Sequence, residues 1–423
     1  MLTGAPRGTK DILPSSINAW RYVEGVMRDV CREFAYKEIR TPIFEHTELF
    51  NRGIGDTTDV VEKEMYTFQD RGKRSITLRP ENTASVVRSF VENKMYANPL
   101  PVKVYYIGPM FRYDRPQAGR MRQFHQFGIE AIGSSSPAID AEVILLSLTV
   151  LKRLGLQDLK LKINSVGCPK CRPVHRKLLQ DFLRPNFDKL CPDCQSRFDR
   201  NPLRILDCKN DDCRKYTEGA PKITDCLCDE CKEHFQKVQE LLTAAGIEYE
   251  LDSNLVRGLD YYTKTAFEIQ YTPLGAQSAV SGGGRYDGLV EEIGGPSTPG
   301  VGFAMGMERV LLALEKQNLL PESTDNMDVF AIVPDAKNLP LAFKTIVELR
   351  KSGLSCDLDF MGRSFKAQMK QANRENAKFT LIFGEDELSR EAVSVRNMAD
   401  SSQNEVKLVD LLTILNRHEV QVK

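Results

Sequence analysis

Four arginines, Arg112, Arg115, Arg120 and Arg122, fall within eleven residues that also hold Asp114, Pro116 and Gly119. Strand-like residues flank this stretch on both sides, so it reads as a hairpin loop offering guanidinium groups to a polyanion. Arginine suits that task because its fork stays charged and binds phosphate through two parallel hydrogen bonds. A solvated surface loop is the plainer alternative, and for an arbitrary charge cluster it would be the better one. The strand that follows weakens it. Side chains alternate along a strand, so Gln126, Gly128 and Glu130 share one face. A glutamine and a glutamate beside an arginine loop outline a pocket for a small polar cation next to phosphate.

Three further runs could approach such a ligand. Arg257-Gly258-Leu259-Asp260-Tyr261-Tyr262 places a cation, an acid and two tyrosines in six residues, although an ordinary strand end would look similar. Ser281-Gly282-Gly283-Gly284-Arg285-Tyr286-Asp287 has three successive glycines, which permit positive φ and a close approach of backbone to a ligand. Alone it is no better than a flexible turn. Glycines at 300, 302 and 306 lead into Glu308-Arg309 at the start of a helical pattern. Their spacing matches neither the dinucleotide fingerprint nor a phosphate loop ending in Gly-Lys-Ser/Thr.

The cysteines form a separate constellation. Nine of the 11 lie between Cys168 and Cys231. Cys168/Cys171, Cys191/Cys194, Cys208/Cys213 and Cys228/Cys231 make four pairs, three with the two-residue gap of structural zinc ligands. Eight thiolates suffice for two four-cysteine sites, with Cys226 left over or substituting. Free thiols in a tolerant insertion are the alternative, and the spacing favours structural zinc.

The elements that must hold these groups can be read from periodicity. Trp20, Val23, Met27, Val30 and Phe34 recur at three- and four-residue steps, as one long amphipathic helix requires. Strands are expected at 37–44, 75–78, 102–107 and 123–131, and a helix at 137–154. The strands alternate irregularly with helices, which favours an antiparallel sheet with helices, an α+β fold, over a doubly wound one. Residues 168–231 combine cysteine pairs, Pro, Asn and Asp with little apolar periodicity, and read as an inserted module short of apolar material for a core of its own. Helix resumes near 233–246, a strand-rich block covers 248–302 and a helix follows at 307–316. A linker is expected at 317–327. Beyond it, strands at 328–333, 355–360 and 379–383 alternate with helices at 339–352 and 364–376, a small α/β domain with a largely parallel sheet. The expected divisions are 1–167 and 237–318 for the core, 168–236 for the insertion and 327–423 for the terminal domain.

Composition removes several classes. The 423 residues are 41% hydrophobic and 27% charged, with Lys+Arg and Asp+Glu equal at 58. A disordered chain and a wholly basic nucleic-acid binder are therefore excluded, though a local basic surface is not. The longest clean apolar stretch, near 143–151, is far short of the ~20 residues of a membrane span. Arg7, Lys10 and Asp11 with no apolar run do not make a secretory signal. A cytoplasmic location is expected.

Read in order, Gly8-Thr-Lys-Asp-Ile-Leu-Pro14, Thr41-Pro42-Ile43-Phe44-Glu45, Arg79-Pro80-Glu81-Asn82-Thr83, the arginine loop, the Arg257–Tyr262 run, the triple-glycine run and Glu308-Arg309 resemble the histidyl-tRNA synthetases, class II aminoacyl-tRNA synthetases. The Arg257–Tyr262 run is histidine-specific, whereas the arginine loop and Glu308-Arg309 are shared across class II enzymes. The resemblance implies a class II antiparallel sheet core flanked by helices, a Cys-rich insertion and a C-terminal α/β anticodon-binding domain. It implies a homodimer whose interface includes the first long helix and the Pro42 segment. The reaction would be ATP-dependent: histidine and ATP give histidyl-adenylate, from which histidine passes to its tRNA. Arg112 would bridge the histidine carboxylate and the α-phosphate, and Arg257 would stabilise charge on that phosphate. Glu81, Thr83 and Gln126 would hold the α-amino group, and Glu130, Tyr261 and Tyr262 the imidazole. Arg309 with Arg120 or Arg122 would hold the ATP phosphates and stack on adenine. Asp114 would sit near the adenine amino group, and Mg²⁺ would accompany the pyrophosphate.

Two residues depart from the family pattern. Asn82 stands where Gly is usual, with a positive φ tolerated and some crowding of the pocket expected. Asp114 replaces Glu, one methylene shorter. In the terminal domain Arg363, Lys366, Lys370, Arg374 and Lys378 recur at steps of three and four, one basic stripe if all are helical. A solvated helix face is the commoner meaning of such a stripe; beside this core, tRNA contact is the expectation. Two rivals remain: a silent paralogue serving as regulatory subunit of ATP phosphoribosyltransferase, which would lack the terminal domain, and a zinc-dependent RNA-binding protein without catalysis.

Overall fold

The structure, a computed structural model, describes residues 3–55, 58–208, 210–321 and 326–420. It contains two compact units, Met1–Pro321 and Glu322–Lys423. Part of the expected linker, 322–325, lies outside the described residues.

The first unit is built on an eight-stranded sheet. From edge to edge it runs Lys37–Glu38, Val102–Phe111, Gln123–Ile132, Gly300–Gly306, Ala279–Arg285, Thr263–Tyr271, Leu159–Ser165 and Glu250–Leu251. The six central strands pair antiparallel, and only the short edge strands pair parallel. Alternation gives the sheet two unlike faces. Phe127, Ile129, Ala131, Val301, Phe303, Met305, Phe267 and Ile269 point to one side, where they join the main apolar core. That core is closed by the helix Pro14–Glu33, which buries Trp20, Val23, Met27, Val30 and Cys31, and by the helix Pro137–Arg153. The second helix is well terminated. Ser136 caps it by accepting from Ala138 N at 3.3 Å, Asp140 lies in its first turn, and Lys152 and Arg153 lie in its last, a charge order the helix dipole favours. On the other face Val104, Tyr106, Met110, Ile132 and Ala266 join a second apolar cluster with Val86, Val87, Phe90 and Tyr286, while the middle of that face is bare and holds the site.

The expected strand at 37–44 is two short strands in different sheets. Lys37–Glu38 edges the large sheet, whereas Phe44–His46 pairs with Ser75–Leu78 in a separate three-stranded sheet completed by Tyr66–Gln69. Pro42 lies between them, outside any strand, consistent with its missing donor. The insertion also differs from expectation. Its helices Arg172–Leu183, Pro192–Arg200 and Asp211–Thr217 enclose an apolar cluster of Leu179, Leu183, Leu190, Phe198, Ile205 and Leu206 with Cys194, Cys208 and Cys213. The helix Arg172–Leu183 does carry a four-residue period, burying His175, Leu179 and Leu183, whereas Pro192–Arg200 and Asp211–Thr217 are too short to show one. The chain rejoins the core through the helix Asp229–Ala244.

In the second unit the strand order is Cys356–Leu358, Val329–Ile332, Phe379–Ile382, Ala392–Asn397, Gln403–Lys407. The first three are parallel and the last two antiparallel, so the sheet is mixed rather than largely parallel. Helices Leu339–Lys351, Phe365–Arg374 and Leu411–Val420 complete the unit.

Candidate functional site

The bare middle of that sheet face is the floor of a cavity of about 730 Å³. Register puts Gly128 opposite Ala304, Ala304 opposite Gly282 and Gly282 opposite Glu268; one step along, Glu130 faces Gly302 and Gln126 faces Gly306. The middle of the floor is thus backbone and one methyl group, with polar side chains around it. A Cβ on Gly302 would overlap the Glu130 carboxylate, one on Gly128 the Tyr106 hydroxyl, and one on Gly282 the Arg257 guanidinium. The triple-glycine run is therefore a central strand whose lack of side chains makes room, and not a flexible turn.

One end of the cavity is a buried carboxylate network. Glu81 accepts from the backbone N–H of Thr83 at 2.7 Å and Ala84 at 2.9 Å, capping the helix Thr83–Glu92. Thr83 Oγ1 donates to Glu130 Oε1 at 2.8 Å, and the Tyr286 hydroxyl donates to Glu130 Oε2 at 2.7 Å. Burial pushes Glu130 up to about 8 even though both hydrogen bonds oppose the shift, and burial raises Glu81 too. Tyr261 packs against Tyr262 and Tyr286 with ring centroids 4.7 and 5.9 Å away, and its hydroxyl lies 3.5 Å from Glu81. Gln126 Oε1 is buried with no hydrogen-bond partner. An acceptor left in that state costs about 1–3 kcal/mol unless a ligand donor reaches it.

The other end is cationic. Arg112 Nε donates to Pro80 O at 2.8 Å, and its guanidinium lies 5.4 Å from the Phe124 ring centre. Arg257 Nη1 pairs with Glu268 Oε2 at 2.8 Å, with the Tyr262 ring 5.8 Å away. Arg309 donates to Gly119 O at 3.1 Å and Ala279 O at 2.8 Å. Burial lowers its pKa, and the nearby Arg120 and Arg112 add to that effect. Guanidinium groups held close enough to repel one another make a site that an anion relaxes. Arg120 is tied to Asp114 and lies 3.7 Å from Glu64.

Of the residues expected at the site, Glu81, Thr83, Arg112, Asp114, Arg120, Gln126, Glu130, Arg257, Tyr261, Tyr262 and Arg309 line this one cavity, and Arg122 does not. Arg122 lies over the Tyr113 ring at 3.8 Å and donates from Nε to Asp114 O at 3.1 Å, buttressing the loop from behind. Asn82 needs no left-handed backbone: its φ is −119°, and its side-chain oxygen accepts from Thr41 Oγ1 at 2.7 Å, outside the cavity. The crowding expected there is not found.

Sequence reasoning left several lining groups unassigned. Glu268 orients Arg257. Glu308 accepts from His125 N at 2.9 Å, although the Glu308-Arg309 pair had flagged its position. Tyr286, inside the glycine run, holds Glu130. Leu206, Asp207, Cys208 and Arg214 bring the insertion into the cavity wall, which no spacing signals. Arg285, in the same run as Tyr286, is structural: it is fully buried against Asp140 and also pairs with Asp287 at 3.2 Å.

The cysteines resolve into two sets, Cys168/Cys171/Cys228/Cys231 and Cys191/Cys194/Cys208/Cys213. Only Lys366, Lys370 and Arg374 of the basic stripe are on the helix Phe365–Arg374. Arg363 precedes it, 3.4 Å from Asp359, and Lys378 follows it, 2.7 Å from Asp328. The exposed stripe is therefore three residues long, because the helix ends at Arg374 and its two neighbours are paired with carboxylates.

Residues 8–171 and 211–310 match the family described as histidyl-tRNA synthetase, and 328–418 match the anticodon binding domain. The histidine–tRNA ligase of Desulforamulus reducens is 56% identical over 98% of this chain and 99% of its own length; that of Moorella thermoacetica is 58% identical over 96% of each. The crystal structure of apo S. aureus histidyl-tRNA synthetase superposes with a TM-score of 0.83 at 43% identity, covering 98% of this chain and 99% of that one. No helix among the described residues is long and apolar enough to cross a membrane.

Proposed function

This chain belongs to the histidyl-tRNA synthetase family, and from that premise we propose how its pocket divides the work. The protein is a histidine–tRNA ligase, a class II aminoacyl-tRNA synthetase that uses ATP to join L-histidine to its tRNA in protein synthesis.

Histidine lies on the glycine floor with its imidazole against Glu130, Tyr261 and Tyr262. Its ammonium group donates to Glu81, Thr83 and Gln126, supplying the donor that Gln126 Oε1 lacks. Its carboxylate then faces ATP. Arg112 neutralises both anions as they approach, and Arg257 meets the charge that grows on the α-phosphate. A carboxylate oxygen attacks phosphorus, the bond to pyrophosphate breaks, and no general base is required because the nucleophile is already ionised. Arg309 and Arg120 hold the departing phosphates, and Asp114 lies beside the adenine. Glu268, paired with Arg257 and Gln270, and Glu308, paired with His125, also line the cavity; these carboxylates would hold Mg²⁺ travelling with the nucleotide, which would neutralise pyrophosphate charge.

The observation that carries this reading is the convergence of Arg112, Arg257 and Arg309 on one side of a bare floor whose other end is the Glu81–Thr83–Glu130 network. We place the protein in the cytoplasm as a homodimer, a reading supported by exposed Ile43 and Phe44 beside Pro42 and by exposed Tyr22 on the first helix. Lys366, Lys370 and Arg374 contact the tRNA backbone, and zinc folds the insertion. Histidine-dependent exchange of pyrophosphate into ATP tests the core of the proposal. Wild-type protein should support it and Arg257→Ala should lose about 10²–10³-fold in kcat; a near wild-type rate in the variant refutes the assigned role. A regulatory subunit without catalysis is disfavoured by the 328–418 domain, and neither it nor a non-catalytic zinc RNA-binding protein would exchange.

A further inference from the structure

Each cysteine set has the shape of a ligand shell for one tetrahedral ion. Zinc–thiolate bonds of about 2.3 Å place the sulfurs of a tetrahedral site about 3.8 Å apart. Cys168 Sγ is 3.6 Å from Cys171 Sγ and 3.8 Å from Cys228 Sγ, and Cys191 Sγ is 3.9 Å from Cys208 Sγ. Within each set all four sulfurs lie within 4.8 Å of one another. Backbone amides also point at them: Cys228 N donates to Cys171 Sγ and Cys191 N to Cys213 Sγ, both at 3.1 Å. Hydrogen bonds of that kind favour the thiolate that a metal requires.

The two sets occupy unlike places. Cys168 and Cys171 follow the strand Leu159–Ser165, and Cys228 and Cys231 flank the start of the helix Asp229–Ala244, so this set ties the two ends of the insertion at its neck. The other set is distal, and two of its ligands, Cys194 and Cys208, bracket a segment that grips the core. Arg197 reaches Asp59 at 2.7 Å, Arg200 reaches Glu62 at 2.7 Å, Asn201 Nδ2 donates to Asp260 Oδ1 at 2.8 Å, and Arg204 Nη1 donates to Gly258 O at 3.0 Å. Gly258 is the residue after Arg257. Leu206, Asp207 and Cys208 then form part of the cavity wall. Among the described residues, the lobe's apolar cluster around Leu179 and Phe198 includes three of the four distal cysteines, Cys194, Cys208 and Cys213.

We propose that zinc bound by Cys191, Cys194, Cys208 and Cys213 is a fastener of the substrate pocket. It fixes the segment between Cys194 and Cys208 and, through Asn201 and Arg204, the backbone that carries Arg257, so that its occupancy sets how tightly the pocket holds its ligands. Zinc at the neck set ties the two ends of the insertion and, among the described residues, reaches the pocket through a single contact, Arg172, next to Cys171, donating to Tyr262 O. The distal cysteines are positioning residues: none of the roles in the reaction falls to them. This inference rests on the histidine-activating reading of the pocket.

The full chain, purified without added metal, should carry two zinc ions. Cys191→Ser/Cys194→Ser and Cys168→Ser/Cys171→Ser should each carry one. In pyrophosphate exchange, the distal variant should show KM for histidine and ATP raised by about tenfold or more, as loss of a supporting shell does; the neck variant, whose one contact with the pocket is Arg172 to Tyr262 O, should show a clearly smaller rise. The decisive measurement uses unmodified protein, because coupling between two ligands is reciprocal. A non-reactive sulfamoyl analogue of histidyl-adenylate should strengthen the distal zinc against a competing chelator by the factor that zinc removal weakens the analogue. Zinc with a purely structural part would show no such shift. Less than one zinc per wild-type chain overturns the metal assignment, and an unchanged KM or an equal loss in both variants overturns the fastener. Two zincs without any histidine-dependent exchange would instead overturn the reading of the pocket.

Discussion

Gly282→Ala isolates the placement of Arg257 from its presence. A methyl group built on Gly282 stands 2.6 Å from Arg257 Cζ, whereas carbon atoms pack at about 3.5–4.0 Å. The guanidinium must therefore retreat by about 1 Å, and the 2.8 Å pairing of Nη1 with Glu268 is stretched or re-aimed. A misplacement of about 1 Å costs a reaction of this kind about 10²-fold, near the loss expected when a preorganised charge is removed altogether. The fold should hardly notice. The group that moves is the free end of a flexible side chain, and alanine in a strand interior is better than glycine by about 0.5–1 kcal/mol. Histidine-dependent pyrophosphate exchange should thus show kcat reduced by about 10²-fold while the melting temperature holds or rises slightly. Combined with Arg257→Ala, the substitution should add almost nothing further, because the charge it displaces is already gone. Wild-type kcat in Gly282→Ala would refute the claim that guanidinium position at this point of the floor governs the chemistry.

Three other perturbations have defined outcomes. Glu130 is raised from 4.5 to about 8, so the folded protein keeps a proton there that the unfolded chain has released; the group's stabilisation is complete below pH 4.5 and is lost as pH rises to 8, at about 1.4 kcal/mol per pH unit. Glu130→Gln should flatten that part of the ligand-free stability profile in urea melts, and a slope equal to wild type would contradict the assignment. Asp140→Ala removes one partner of a pair whose side chains are both fully buried and should destabilise the protein by about 3–5 kcal/mol; a loss below about 1 kcal/mol would mean that Arg285 finds water or another acceptor. Lys366→Ala/Lys370→Ala/Arg374→Ala should raise KM for tRNA in aminoacylation and weaken its salt dependence while pyrophosphate exchange stays at wild-type rate, and an unchanged KM would remove the helix from the RNA surface.

Sequence legibility tracked how local each cause was. The helix Met307–Lys316 and the strand Ser75–Leu78 were readable because their periods are intact and their ends are marked. Gln126 and Glu130 could be placed on one face from alternation alone. The partners that orient Glu130 could not, since Gly302 meets it through sheet register, Thr83 from the start of a helix and Tyr286 from just past a strand, all across long sequence separations. The strand expected at 37–44 failed because two adjacent half-strands pair with different sheets, a choice made by partners and not by residue type. The insertion was the least readable part. Its core is assembled from one or two apolar residues per short helix, and Asp207 and Arg214 gain a place in the cavity from how the whole lobe leans on Gly258 and Asp260.

The bare floor has a consequence for inhibitors. A compound lying flat across Gly128, Gly282 and Gly302 presses on peptide groups, which mutation cannot trim. Resistance arising at those positions would have to add atoms, and each added methyl group would push into Tyr106, Arg257 or Glu130, the machinery that the natural substrates need. Chemical matter aimed at that surface therefore faces few escape routes, whereas matter leaning on the insertion's wall meets side chains free to change.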